Sequence, residues 1–179
     1  MSRPATTGDL LRSLALILLP IVVITLLFTR LPDDHPVKVV DWQPVLTTAR
    51  QEAPYRVLAP ANLPEGWRAT AVTWVKVGEP YLGKPSVRNL WQLGMLSPDD
   101  VYLSVVQGDL RPDDLVREQT RMGVPDGNST VDGRTWQRRV SLDDRTRSLV
   151  RSDATVTTIV VGDTSYAGLE AFAATFSDS

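Results

Sequence analysis

Hydrophobic positions fall into three regimes along the chain. There is an unbroken apolar run near the N-terminus, a long middle part of short Val/Thr/Trp-rich runs, and a final stretch with apolar residues at helical spacing. The first run, Ser13 to Thr29, reads SLALILLPIVVITLLFT, seventeen residues without a charge between Arg12 and Arg30. About 20 apolar residues cross a bilayer core, arginines at the ends can snorkel, and membrane helices tolerate a proline such as Pro20. No small-residue cleavage site follows the run, which therefore reads as an uncleaved anchor, a transmembrane helix over 13–29. Arg3, Arg12 and the amino terminus outweigh Asp9 on one side, whereas Arg30 is followed by Asp33 and Asp34 on the other. The positive-inside rule then makes 1–12 a cytoplasmic arm and 30–36 a stalk, and carries 37–179 across the cell membrane as an extracytoplasmic domain of a single-pass protein.

Beyond the stalk, Val37–Trp42 reads as a short strand, and Pro44–Ala53 as a helix with Pro44 in its first turn and Val45, Ala49 and Ala53 at four-residue spacing. Strands are expected at 67–77, 87–96 and 101–107, with a Gly/Pro loop between the first two and a turn at Ser97-Pro98-Asp99-Asp100. Pro112, Asp113 and Asp114 open a helix that Gly123 and Pro125 close. Asp132-Gly133 is a hairpin-turn dipeptide, and 135–141 and 146–151 pair as a hairpin around Asp143-Asp144. A strand at 156–161 leads into an amphipathic helix over 164–176, capped by Asp163 or Thr164, with Tyr166, Leu169, Phe172, Ala173 and Phe176 on one face. The fold class is α+β: a mainly antiparallel sheet with helices packed on one face.

Composition removes whole classes of chemistry. With 19 Lys and Arg against 21 Asp and Glu, the net charge of −2 argues against a nucleic-acid partner. There is no cysteine and a single histidine, His35, so thiol nucleophiles, disulfides, Ser–His triads and multi-histidine metal sites have no material. The eleven glycines are scattered at turns, without a phosphate-binding loop. No catalytic, cofactor-binding or metal-binding residue is assigned, and no cofactor is expected.

Several segments carry a family resemblance. They are Asp9-Leu10-Leu11-Arg12-Ser13, Val40-Asp41-Trp42, Leu63-Pro64-Glu65-Gly66-Trp67, Val87-Arg88-Asn89, Trp91-x-Leu93-Gly94, Tyr102-Leu103-Ser104-Val105, Gln107-Gly108-Asp109, Gly133-x-Thr135-Trp136 and Thr158-Ile159-Val160-Val161-Gly162. With these the chain resembles, over nearly its whole length, the actinobacterial domain-of-unknown-function 4245 family, which implies a single-pass envelope protein and no defined activity. A fainter likeness, carried by Leu63-Pro64-Glu65-Gly66, a strand ending near Gln107 and a late strand feeding the last helix, is to outer-face domains of anti-sigma-factor-type proteins.

Acid pairs at Asp33/Asp34, Asp99/Asp100, Asp113/Asp114 and Asp143/Asp144 match turns and helix starts better than the spaced carboxylates of a glycosidase. Trp42, Trp67, Trp74, Trp91 and Trp136 read as half-buried core before they read as a sugar-stacking platform. The most distinctive local feature is basic: Arg134, Arg138, Arg139, Arg145, Arg147 and Arg151 fall within eighteen residues. In a hairpin symmetric about Asp143/Asp144, Trp136 lies opposite Arg151, Arg138 opposite Leu149 and Val140 opposite Arg147. Trp136, Arg138, Arg147 and Arg151 then share one face, a candidate binding face for a protein partner or an anionic envelope polymer, unless they merely line a solvated surface. The expected function is a membrane-anchored, non-catalytic binding or interaction module. The alternatives are a carboxylate-dependent envelope hydrolase and a structural accessory subunit of a membrane complex.

Overall fold

The computed structural model describes residues 7–29 and 37–177, and the chain divides into two compact units, 1–37 and 38–179. The expected stalk at 30–36 and the first six residues of the expected arm lie outside the described residues.

In the first unit helix α1 runs Thr7–Thr29 and contains Pro20. It begins six residues ahead of the expected span, so from Thr7 onward the arm is helical. Leu16, Ile17, Leu18 and Leu19 are consecutive and all exposed, as are Ile21 to Ile24, so the apolar side chains look outward in every direction. Among the described residues no helix is long and apolar enough to cross a membrane, and the expected transmembrane helix over 13–29 is not supported.

The second unit is built on a seven-stranded antiparallel sheet. Its elements are α2 (Gln43–Glu52), β1 (Ala59–Pro60), β2 (Arg68–Val75), the small hairpin β3 (Pro80–Tyr81) and β4 (Lys84–Pro85), β5 (Leu90–Leu96) and β6 (Tyr102–Gly108). They continue with α3 (Pro112–Gln119), β7 (Val124–Val131), β8 (Arg134–Val140), β9 (Arg147–Ser152), β10 (Thr157–Gly162), α4 (Tyr166–Ala173) and β11 (Phe176–Ser177). The main sheet has the order β2-β5-β6-β10-β9-β8-β7. The α+β class with a large antiparallel sheet is as expected.

Alternation along the strands gives the sheet two apolar faces. Trp91, Leu93 and Met95 of β5, Leu103 and Val105 of β6, Val160 of β10, Leu149 of β9 and Trp136 of β8 share one core with Trp42, Leu46 and Ala49 of the α2 region and Leu169, Phe172 and Ala173 of α4. Leu90, Val106, Ile159 and Val150 point the other way and pack with Leu115 of α3. The expectation of helices on one face is therefore corrected: α2 and α4 cover one face and α3 part of the other. Continuous Val/Ile/Leu runs in β6 and β10 are what a strand buried on both faces requires.

Local departures have local causes. Residues 37–42 are not a strand, and a single backbone bond, Val40 N–H to Ala69 O at 2.9 Å, ties them to β2. Strand β7 is an addition. Its sequence VPDGNSTV lacks alternation, a bulge between Pro125 and Asn128 absorbs the irregular residues, and its pairing is set by the turn Asp132-Gly133, whose φ angles of 49° and 71° are the left-handed pair such a turn demands. Helix α4 is capped by Ser165 rather than Asp163 or Thr164, its Oγ accepting from Gly168 N–H at 3.2 Å. It also stops at Ala173, where Thr175 folds its hydroxyl back onto Phe172 O at 2.7 Å. Phe176 then pairs with Pro60 as β11 and meets Phe172 edge-on at 5.0 Å.

Candidate functional site

The β8–β9 hairpin has the expected register, with Arg138 opposite Leu149 and Val140 opposite Arg147. Trp136, Arg138, Arg147 and Arg151 accordingly fall on one face, the face that α4 covers. That cover splits them into two groups with different tasks.

Arg138 and Arg147 are drawn to α4. Arg138 donates from Nε to Ser129 Oγ at 2.6 Å and from Nη2 to Glu170 Oε1 at 2.8 Å, while Ser129 donates to the same carboxylate oxygen at 2.5 Å. Its guanidinium also lies 4.7 Å from the centre of the Tyr166 ring, with that of Arg147 at 5.8 Å. These bonds, the Ser129 hydroxyl first and Arg138 second, hold the Glu170 carboxyl below its ordinary range. Burial, then the hydrogen bond donated to Asp126 Oδ2 at 2.7 Å, pushes the Tyr166 phenol up to about 12. This group clamps α4 to the sheet.

Trp136 and Arg151 make the second group. Trp136 is 3 % exposed, a core residue whose indole N–H has no hydrogen-bond partner. The Arg151 guanidinium covers its ring at 5.1 Å. Burial and then the neighbouring charge of Arg134 hold the Arg151 guanidinium below its ordinary value, partly offset by Asp153. Among the described residues neither Arg134 nor Arg151 has an ion-pair partner within 4 Å.

Both arginines line an open cavity of about 710 Å³, bounded by the segment 53–58 and the β9–β10 turn. Its floor is a polar lattice built from Gln107, which is fully buried. Gln107 Oε1 accepts from Leu58 N–H at 2.7 Å, and its Nε2 donates to Arg56 O at 3.2 Å and Thr158 Oγ1 at 3.1 Å. Tyr55 donates from its hydroxyl to Gln107 O at 3.3 Å and Asn89 O at 3.1 Å, and Trp91 donates its indole N–H to Leu58 O at 3.1 Å. Across the cavity, Asp153 Oδ1 accepts from Thr155 N–H and Val156 N–H at 2.9 and 3.0 Å and so fixes the turn. The walls are therefore preorganised and the cavity carries Arg56, Arg134 and Arg151 against Asp153. Such a site suits an anion.

Arg134 belongs to the basic cluster visible in the sequence but is not among the four residues named for the hairpin face; Gln107 enters only through the family resemblance, with no role attached, and Arg56 and Tyr55 carry no sequence signal. Of the remaining tryptophans, Trp42 and Trp91 are buried, Trp67 stacks on Phe172 at 5.6 Å, and Trp74 donates to Glu52 Oε2 at 2.9 Å, so they form no platform. The acid pairs sit at turns and a helix start. Asp100, with φ 58°, bonds Arg68 at 2.5 Å; Asp113 and Asp114 lie in the first turn of α3; Asp143 accepts from the Ser141 hydroxyl at 2.5 Å. Asp33/Asp34 and His35 lie outside the described residues.

Among solved structures, the chain is similar to a chain in the complex structure of Pseudomonas aeruginosa MucA/MucB, with 16 % identity, a TM-score of 0.36 and 67 % of this chain covered. It spans 34 %, about a third, of that chain's length. No curated protein matches the sequence. A family profile described as Protein of unknown function (DUF4245) matches residues 3–176. With all but the extreme termini inside that match, the chain belongs to the DUF4245 family.

Proposed function

We propose that this protein is a non-catalytic binding module, attached to a membrane through its N-terminal segment, that takes an acidic segment of a partner protein in the cavity lined by Arg134 and Arg151. The observation that carries the reading is the pair of guanidiniums lining one open cavity, neither in an ion pair within 4 Å among the described residues, with Asp153 a partial counter-charge to Arg151. An incoming carboxylate relieves their repulsion and meets planar donors suited to two-point bonding. The cavity volume, about 710 Å³, falls in the upper part of the range for ligand sites and leaves room for several side chains of a peptide.

Membrane attachment is supported by the seventeen-residue uncharged run at 13–29 and by the outward-facing apolar side chains between Leu14 and Ile24, which water solvates poorly. The flanking charges favour an N-terminus in the cytoplasm and residues 37–179 outside it. Attachment confines the module and its partner to one surface, which raises their effective concentration.

The test is a titration of the full chain with an oligoglutamate peptide and, in parallel, an oligolysine peptide. The oligoglutamate binds saturably and loses affinity with rising salt, and Arg134→Glu weakens it at least about tenfold, because an attractive charge at the cavity becomes a repulsive one. Equal binding of both peptides, or no effect of Arg134→Glu, overturns the reading.

A further inference from the structure

On the opposite sheet face a second cavity of about 350 Å³ lies between the β3–β4 hairpin and α3. Its centre is Arg88, 4 % exposed. A buried guanidinium is costly unless its donors are used. Here the nearest carboxylate, Glu118 Oε2, is 3.5 Å from Nη1 on a side chain that is 63 % exposed, and the buried Nε has no hydrogen-bond partner. The fold nevertheless holds Arg88 in place. Its backbone oxygen accepts from the Ser86 hydroxyl at 2.6 Å, the next residue is anchored by Asn89 N–H to Asp109 Oδ1 at 2.9 Å, and its stem lies over Gly108. A Cβ at Gly108 would come within 3.0 Å of Arg88 Cδ and 2.9 Å of Leu115 Cδ2, so the missing side chain is what admits both residues.

Much of the remaining lining is apolar, with Ser86 and Gln119 as its neutral polar members. Leu90 and Leu115 are buried at the base, Tyr81 and Pro85 stand at the side, and Leu82 and Val87 are exposed at the rim. Lys84 adds a second cation at the hairpin, against the single carboxylate of Glu118. An apolar slot with an under-used buried cation matches a specific chemistry. We infer that this cavity binds a small monocarboxylate with a short apolar chain, its carboxylate on Arg88 and its chain against Leu90 and Leu115. The volume lies at the lower end of the range for small-molecule sites, which sets the chain at a few carbons. The inference is independent of the Arg134–Arg151 cavity, which lies on the other face.

Hexanoate is the probe, with 1-hexanol as its uncharged counterpart, each titrated into the full chain held in lipid nanodiscs and followed by calorimetry and amide chemical shifts. Hexanoate saturates with a Kd of about 1 mM or below, a reasonable affinity for eight non-hydrogen atoms. Shifts are confined to residues around Tyr81, Arg88 and Leu115, and 1-hexanol binds at least about tenfold more weakly. Arg88→Met abolishes the response. Because that variant changes a buried residue, Glu118→Gln provides the second arm: it removes a competing carboxylate from the surface and tightens hexanoate about two- to fivefold, the factor a partly exposed ion pair carries. Hexanol binding as tightly as hexanoate, no saturation below about 10 mM, or weaker hexanoate binding in Glu118→Gln overturns the inference.

Discussion

Arg138 shows how one cation can be fully employed inside the fold. It bonds Ser129 and Glu170 and lies over the Tyr166 ring, with about a third of its side chain still exposed. Arg138→Met should destabilise the domain by about 1–2 kcal/mol, because Glu170 and Ser129 keep only each other. Acid should reduce the same contribution. Glu170 has a carboxyl pKa lowered in the fold, so its stabilisation is complete above its unfolded value near 4.5 and fades as pH falls through the lower folded value. Denaturation series at pH 7 and pH 3 should therefore differ less in Arg138→Met than in the native chain. A second residue, Gln107, ties the cavity floor together through Leu58, Arg56 and Thr158. Gln107→Leu leaves those buried groups unpaired and should cost about 2–3 kcal/mol, measured by urea unfolding, with weaker oligoglutamate binding from a loosened 55–58 segment. From sequence Arg138 and Trp136 read as ligand contacts, since neither an arginine nor a tryptophan announces whether a helix will later cover it. The roles of Arg56 and Gln107 were hidden because they depend on contacts some fifty residues apart.

Among the elements, the C-terminal end of the domain is the clearest case of a strand doing a helix's expected job. Residues Phe172 and Phe176 are four apart and would share a face in either a longer helix or the observed turn, so periodicity does not distinguish them. The Thr175 hydroxyl and the pairing of β11 with β1 decide it. Truncation after Ala174 removes the bond from Ala61 N–H to Thr175 O at 3.1 Å and the Phe176 ring from Phe172. It should lower stability by about 2 kcal/mol or more and speed hydrogen exchange at the Ala61 amide. Unchanged exchange at Ala61 would show that β11 contributes nothing. The long strands and the β8–β9 register were legible because alternation and the Asp143-Asp144 turn act locally. Strand β7 was not legible, since Pro125, Asp126 and Gly127 suppress the pattern and the bulge restores it only in three dimensions. The side taken by α3 was equally hidden: Leu115 is its single fully buried apolar anchor, and strands apolar on both faces give it a choice.

For the whole molecule, two properties are at stake, attachment and recognition. If the N-terminal segment anchors the chain, alkaline carbonate should leave the native protein in the membrane pellet, and deletion of 1–30 should release residues 37–179 to the supernatant; release of the native chain would refute anchoring. Recognition rests on the cavity between the 53–58 segment and the β9–β10 turn, where Arg134 and Arg151 have no ion-pair partner within 4 Å among the described residues. The most direct measurement of that claim places a photo-crosslinking residue at Thr155, on the cavity wall, in the full chain inside cells. The account predicts a discrete protein adduct, crosslinked through an acidic segment, that Arg134→Glu abolishes while the unfolding midpoint stays the same. An adduct unaffected by Arg134→Glu, or one containing lipid or glycan alone, would contradict it.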